Sequence, residues 1–204
     1  MDKKPKIEVF VANTSQAHDI DYVPTVLKKE LLTIKNEEKK LQKRCMYNLI
    51  YFAFFRMGIK LRVNSITKDK SGKPMMKGWF LSCSHSKDLI TVAVSKNVNI
   101  GVDIEAMHLD VPFESFKKKI FHPNESRKVN VNLINLIYLW TRKEAIFKMT
   151  SKTGKFIPKN IDTAQFLTLS TTLEYKRTRY ALSVAAEDNE HVHINMLDKA
   201  IKMK

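Results

Sequence analysis

The stretch Gly101-Val102-Asp103-Ile104-Glu105 alternates between apolar side chains and either a glycine or an acid. Side chains on a β-strand point to opposite faces in turn. The pattern therefore predicts a strand in which Ile100 and the apolar members of the stretch pack on a core. Asp103 and Glu105 then project together from the other face.

Two carboxylates this close repel each other, and a divalent cation is a common remedy. Mg2+ prefers oxygen ligands and keeps coordination positions for water and substrate phosphate. The alternative is a solvated edge strand whose acids face water. The spacing of Asp103 and Glu105 alone leaves both explanations open.

The stretch 131–149 contains neither Pro nor Gly and is densely apolar, which predicts a helix of about five turns that stops at Gly154. Trp140, Glu144 and Lys148 follow one another at intervals of four, so they share one stripe of this helix. The alternative for Glu144 and Lys148 is a surface ion pair, which contributes only about 0.3 to 0.5 kcal/mol.

A third segment runs from Gly72-Lys73-Pro74 through residues 79–86 to an apolar strand at 89–94. We expect the order turn, strand, polar break, strand, with Ser84-His85-Ser86 at the tip between the strands. Hydroxyls, backbone N–H groups and an imidazole suit a phosphate, although an ordinary turn histidine is the alternative. A serine hydrolase is disfavoured, because neighbouring strand residues face opposite ways and the chain has no Gly-x-Ser-x-Gly motif.

These motifs, in this order, resemble the Sfp-type 4'-phosphopantetheinyl transferases. The resemblance covers residues 70–155 well and the ends only loosely. It is carried by Gly72-Lys73-Pro74, Ser84-His85-Ser86, the 101–105 stretch, Phe121 with Glu125, and Trp140-Thr-Arg-Lys-Glu-Ala-Ile-Phe-Lys148.

The resemblance implies an α+β fold of two similar α/β halves in a pseudo-twofold arrangement, each a small antiparallel sheet packed with a long helix. The first half, 1–99, would contribute to coenzyme A binding. The second half, 100–204, would supply the Mg2+-binding acids and a phosphate-binding lysine. The active site would lie at the junction of the two.

The implied activity is the Mg2+-dependent transfer of the phosphopantetheine arm of coenzyme A to a serine of an apo acyl or peptidyl carrier protein, with release of 3',5'-ADP. Asp103, Glu105 and Glu144 match the family's metal-binding acids. Glu144 is also the candidate base for the serine hydroxyl. The implied catalytic set is Glu144, Lys148 and Asp103, in which Lys148 contacts the phosphates.

For coenzyme A, the resemblance implies that His85 and Ser84 contact phosphate and that Lys73 reaches the nucleotide end. One departure concerns the basic residue that the family places early in the long helix to hold the 3'-phosphate. Tyr47 stands at that position here. Lys43 and Arg44 lie about one turn earlier, so we expect one of them to substitute.

The formal net charge of +15 attracts polyanions such as nucleic acid, an anionic membrane or an acidic protein. Carrier proteins are acidic helical bundles, as the resemblance implies, so the charge agrees with such a partner. The lysines are spread along the chain and do not by themselves mark a site.

Further expectations follow from the rest of the composition. Cys45 and Cys83 form no Cys-x-x-Cys pair, so we expect reduced thiols. The apolar run 49–55 is too short to span a bilayer, and the amino end lacks the apolar segment of a signal peptide. We therefore expect a soluble cytoplasmic protein without a membrane partner, and the resemblance implies a monomer.

Two rival functions stay open at this point. A nucleic-acid or polyanion-binding module explains the charge, but it does not explain the three acids, so we expect no nucleic-acid partner. A metal-dependent nucleotide phosphohydrolase or nuclease would use similar acids with water as the nucleophile.

The remaining pattern predicts a strand at 7–12, helices at 23–32 and 36–56, strands up to Glu105, and a linker at 107–112. Two more strands are expected at 164–173 and 175–186. The segment 113–120 mixes phenylalanines with lysines. Phe113 and Phe116 either contact a carrier protein or face inward from an amphipathic helix.

Overall fold

The computed structural model describes residues 7–15, 25–62, 65–69, 72–108, 111–125, 132–150, 154–188, 191–198 and 202–203. In these ranges it has ten strands and four α-helices. They are β1 (Ile7–Asn13), α1 (Thr25–Thr33), α2 (Glu37–Arg56), β2 (Ile66–Lys68), β3 (Pro74–Met76), β4 (Phe80–Ser86), β5 (Leu89–Ser95), β6 (Ile100–Ala106), α3 (Phe113–Ile120), α4 (Leu133–Met149), β7 (Leu167–Tyr175), β8 (Thr178–Ala186), β9 (Val192–Met196) and β10 (Lys202–Met203). Short 3-10 turns at Pro158–Asn160 and Thr163–Gln165 precede β7.

The described elements form a four-layer α+β structure. The first four-stranded sheet has the strand order β4-β5-β1-β9 and the second the order β10-β7-β8-β6, while β2 and β3 form a separate two-stranded sheet. Buried side chains from both sheets share one core cluster, so the sheets pack face to face. Helix α2 covers the outer face of the first sheet, and α4 packs on β6 and β8 of the second.

Alternation along the central strands assigns side chains to these layers. Ile100, Val102 and Ile104 of β6 are fully buried in the core between the sheets, as the sequence predicts. Along β5, Leu89 and Ala93 join the same core, whereas Ile90, Val92 and Val94 pack toward α2. Both faces of β5 are thus covered, which explains its continuous apolar sequence.

The two sheets repeat one connectivity. In the first, β1 is followed by helices and by β4 and β5, and β1 pairs with β5. In the second, β6 is followed by helices and by β7 and β8, and β6 pairs with β8. Strand β9 lies parallel to β1 and completes the first sheet. A twofold relation between the halves, and a division at residues 99 and 100, stay predictions.

The predicted helices are present, and α2 and α4 have recognisable N-caps. Asn36 caps α2, because its side chain accepts a hydrogen bond of 2.9 Å from the N–H of Lys39. Asn132 caps α4 in the same way, accepting from the N–H of Asn135 at 2.8 Å. The predicted starts at residues 23 and 131 lie outside the described residues.

Helix α4 ends at Met149, the last residue of the predicted stretch 131–149, and the N–H of Thr150 makes the final helical hydrogen bond, to the carbonyl of Ile146 at 2.9 Å. Gly154, the expected stop, lies five residues further along the chain. One other local prediction is wrong. Ser84-His85-Ser86 is not a polar break, because β4 continues through Ser86. A turn of Lys87 and Asp88, with Lys87 at φ 48°, closes the hairpin instead.

Among the described helices, none has the length and apolar character needed to cross a membrane.

We expect Gly101→Ala to destabilise the protein by more than about 3 kcal/mol, since overpacking against rigid backbone is costly. An added Cβ would lie 1.9 Å from the carbonyl oxygen of Ala145 in α4. The measurement is urea unfolding. Gly78→Ala is the control, because Gly78 has φ +78° with open space around it. This variant should lower the free energy of unfolding by only about 1 to 2 kcal/mol. Equal losses for the two variants would contradict the close packing of α4 on β6.

Candidate active site

The edge strands of the two sheets, β4 and β6, lie side by side. Ser82, Ser84 and Ser86, here called the serine row, point from β4 toward β6. The hydroxyl of Ser82 accepts a hydrogen bond from the N–H of Val102 at 3.0 Å, and that of Ser86 accepts from the N–H of Ala106 at 3.0 Å. The serine row thus links the two sheets through hydrogen bonds to residues of β6 on either side of Asp103 and Glu105.

Three carboxylates meet on the outer face of β6. Asp103 and Glu105 project from the strand and Glu144 projects from α4, and one oxygen of each lies within 4.8 Å of the others. Asp103 is only 1% exposed. The alternative of a water-facing edge strand is therefore wrong, because α4 covers this face and brings a third acid to it.

Lys148 lies beside this acid cluster. Its Nζ donates to Asp103 Oδ1 at 2.7 Å and to Ser84 Oγ at 3.0 Å, and the Ser84 hydroxyl donates to the same Asp103 oxygen at 2.6 Å. Burial alone would lower the pKa of Lys148, but the carboxylates of Asp103 and Glu144 outweigh it and raise the pKa. Lys148 therefore lies between β6 and α4, where it pairs with the buried carboxylate of Asp103. It does not form the exposed helical ion pair that was the alternative.

The pKa of Glu144 is raised to about 7, first by burial and then by the negative charges of Asp103 and Glu105. Lys148 opposes this shift without cancelling it. Near neutral pH, Glu144 therefore exchanges its proton readily. Such a carboxyl group suits either proton transfer or the binding of a cation that displaces the proton.

The cluster fits a divalent metal ion. Asp103 Oδ2 is buried and has no hydrogen-bond partner among the described residues, which is costly for a carboxylate oxygen. Asp103, Glu105 and Glu144 offer oxygen ligands only, and Lys148 contacts the other oxygen of Asp103. A set of oxygen donors matches the preference of Mg2+.

Lys73 reaches the end of α4 from the turn that precedes β3. Its Nζ donates to the carbonyl of Lys148 at 3.1 Å, near the end of α4. Its backbone N–H donates to Asp69 Oδ1 at 2.9 Å, and Gly72 takes the φ of +85° that closes this turn. Burial lowers the pKa of Lys73. The structure thus brings the Gly-Lys-Pro motif to the backbone of Lys148, whose side chain contacts the acid cluster.

His85 lies on β4 between two members of the serine row, so it faces the opposite side of the strand. The side chain of His85 is exposed, and loss of hydration together with the nearby charge of Lys148 lowers its pKa. Ser84, in contrast, faces the acids directly. The predicted pair of Ser84 and His85 is therefore split across two faces of one strand.

Lys43 has its described contact away from the acid cluster, and a role for Arg44 stays a prediction. The ammonium group of Lys43 forms an ion pair with Glu30 of α1, which also pairs with Lys68 of β2. Tyr47 is 1% exposed, and its ring lies 5.9 Å from the ammonium of Lys68. The residue at the family's basic position thus faces the core.

Lys143 anchors the helix that carries Glu144, a role that the sequence analysis did not assign to it. It is fully buried, and its Nζ donates to Glu125 Oε2 at 2.6 Å and to the carbonyls of Pro158 and Ile161 at 3.1 and 2.5 Å. These contacts fix one side of α4 while the adjacent Glu144 turns toward β6. The signal was visible, since a lysine within a densely apolar helix needs a buried partner.

The aromatic residues of this region form their own cluster. Trp140 packs on Phe116 of α3 and on Phe156, with ring centroids 5.3 and 5.2 Å apart. Phe116 and Phe113 are half-buried, and Ile120 is fully buried. Helix α3 therefore faces inward with its apolar side, as the amphipathic alternative predicts. Contact with a carrier protein stays a prediction.

Comparison with known proteins agrees with this geometry. Residues 99–195, a little under half of the chain, match a family model described as the 4'-phosphopantetheinyl transferase superfamily. This segment contains all three clustered acids and Lys148. A search of curated proteins gives no match. The resemblance to 4'-phosphopantetheinyl transferases is thus confirmed, and it supports phosphopantetheinyl transferase activity in general.

The raised pKa of Glu144 predicts a pH effect on stability. The folded-state pKa of about 7 exceeds the ordinary value of 4.5, so this group's contribution is lost as the pH rises through 7. We expect Glu144→Gln, which stays neutral, to gain on the order of 2 kcal/mol relative to the wild type between pH 5 and pH 8 without metal. Urea unfolding in EDTA measures the difference.

The control for this experiment is Glu114→Gln, which makes the same substitution at an exposed position outside the acid cluster. A Glu144→Gln difference that is constant between pH 5 and pH 8 would show that Glu144 titrates normally and that the acids do not interact.

Proposed function

We propose that the protein is an Sfp-type 4'-phosphopantetheinyl transferase, which moves the phosphopantetheine arm of coenzyme A to a serine of an apo acyl or peptidyl carrier protein. The reaction requires Mg2+ and releases 3',5'-ADP. The observation that supports it most is the convergence of Asp103, Glu105, Glu144 and Lys148 within the segment that matches the superfamily.

Asp103, Glu105 and Glu144 would hold the metal ion. When bound, Mg2+ neutralises charge on the diphosphate of coenzyme A and stabilises the departing phosphate. Asp103 has one oxygen on Lys148 and one oxygen without a partner among the described residues, so it can serve both cations at once.

Lys148 and Glu144 act on the reacting groups in this proposal. The serine Oγ bonds to the phosphorus next to the pantetheine arm, and the bond from that phosphorus to the 3',5'-ADP oxygen breaks. Lys148 places a positive charge beside the oxygens that gain negative charge. Glu144, in its deprotonated form, accepts the serine proton.

Residues of the first half of the chain would bind the rest of coenzyme A. Ser84 and His85 contact phosphate from the β4 edge, and Lys73 contacts the nucleotide end. Lys43 or Arg44 takes the 3'-phosphate in place of the basic residue that Tyr47 replaces. For Lys43 this requires that a phosphate replace the carboxylate of Glu30 as its partner.

The carrier protein would approach with its acidic surface toward this basic chain. The net charge of +15 speeds encounter with an acidic partner and makes it sensitive to salt.

The direct test is intact-protein mass spectrometry of a panel of apo carrier proteins incubated with this protein, coenzyme A and Mg2+. We expect one phosphopantetheine on a carrier serine with the wild type and none in EDTA. Asp103→Asn should fold and yet give no transfer, since it keeps the size of the side chain but removes a ligand charge. Full activity of Asp103→Asn in Mg2+ would refute the metal assignment.

The same samples separate the rival activities. Release of phosphate or of a nucleotide from coenzyme A without any carrier protein would identify a phosphohydrolase instead. Tight nucleic-acid binding that is unaffected by EDTA, with no change of carrier mass, would identify a polyanion-binding protein.

Lys148→Ala should lower the rate of transfer by at least about 100-fold, the size of effect expected when one electrostatic donor is removed from a reacting centre. Carrier binding should change little, because Lys148 acts on the phosphates. Steady-state kinetics at varied carrier concentration measure both effects, with the exposed Lys118→Ala as control. An unchanged turnover number with a raised KM for the carrier would place Lys148 in carrier binding instead.

A further inference from the structure

Glu105 is held by a serine that the function proposed above leaves without a role. The hydroxyl of Ser86 donates to Glu105 Oε2 at 2.8 Å and accepts from the N–H of Ala106 at 3.0 Å. A hydroxyl has one hydrogen to donate. Because the backbone of β6 supplies a donor to Ser86, the serine's own hydrogen is directed to the carboxylate.

The surroundings keep this arrangement rigid. Ser86 is only 9% exposed and lies on β4, which is paired along its length with β5. Glu105 is half-buried and belongs to the edge strand that packs beside β4. A glutamate has several rotatable bonds, so an unheld carboxylate loses considerable conformational freedom when it coordinates a metal ion. The bond from Ser86 restricts that freedom before the ion arrives.

We propose that Ser86 is a positioning residue that fixes Glu105 for metal binding and thereby sets the affinity of the acid cluster for a divalent cation. The proposal rests on the metal site of the proposed function. Hydrogen-bonding partners of metal ligands orient the ligand atoms, and their removal typically lowers metal affinity 10- to 100-fold.

The serine row contains its own control. Ser82 also lies between the two sheets, is 1% exposed, and accepts a hydrogen bond of 3.0 Å from the N–H of Val102. Its described hydrogen bond goes to backbone and not to a carboxylate. If the serine row served only to join the sheets, removing the Ser82 hydroxyl would weaken metal binding at least as much as removing the Ser86 hydroxyl.

The test is a titration with Mn2+ as the probe, in which electron paramagnetic resonance counts the free ion. The protein is kept at pH 8, above the pKa of Glu144. Mn2+ suits carboxylate oxygens as Mg2+ does. We expect Ser86→Ala to raise the Kd for Mn2+ by 10- to 100-fold and Ser82→Ala to change it less than threefold. Equal Kd values for the two variants would overturn the proposal.

A double-mutant cycle with Glu105→Gln keeps the test independent of any general loosening of the fold. If Ser86 acts through the Glu105 carboxylate, Ser86→Ala should have little further effect once that carboxylate is gone. Full additivity of the two substitutions would overturn the proposal.

The outcome is separable from that of the proposed function. A wild type that binds Mn2+ but modifies no carrier would refute the transferase and leave the role of Ser86 intact. A transferase whose Ser86→Ala variant needs no more metal than the wild type would refute the role of Ser86 alone.

Discussion

The structure depends on the close approach of helix α4 to strand β6 at Gly101. A side chain there would overlap the backbone of α4 at Ala145, so only glycine permits this spacing. With the helix this close, Glu144 comes within coordination range of Asp103 and Glu105, and Lys148 reaches Asp103. One missing Cβ therefore allows a helix acid and two strand acids to form a single group.

The electrostatics of that group follow from its burial. Like charges are kept together by tertiary packing, and the result is a carboxyl group with a pKa near 7, one carboxylate oxygen without a partner among the described residues, and a lysine shared with the serine row. Without a metal ion, this group of buried carboxylates lowers the stability of the folded protein. Native structures tolerate such a loss mainly at functional sites. Lys143 on α4 and the serine row on β4 hold the group from two sides.

Much of this could be predicted from sequence because it is encoded by local periodicity. Alternation along 100–106 correctly placed the apolar side chains inside and the acids together outside. The spacing of Glu144 and Lys148 placed both on one helical stripe. The motifs also indicated the family, whose model matches residues 99–195.

The rest depends on contacts between distant residues. The partners of Ser82, Ser84 and Ser86 on β6, and the pairing of β9 with β1, arise from tertiary packing that no local pattern specifies. Ser84-His85-Ser86 was misread as a break because polar residues usually mark turns. Here the polar face of the strand is satisfied by a neighbouring sheet edge.

The most direct test of the central claim is a crystal structure of the protein with coenzyme A and Mn2+, with the metal located by its anomalous scattering. The account predicts an anomalous peak within about 2.5 Å of oxygens from Asp103, Glu105 and Glu144, with the diphosphate on the same ion. Coenzyme A bound with its diphosphate away from these acids, or a peak elsewhere, would contradict it.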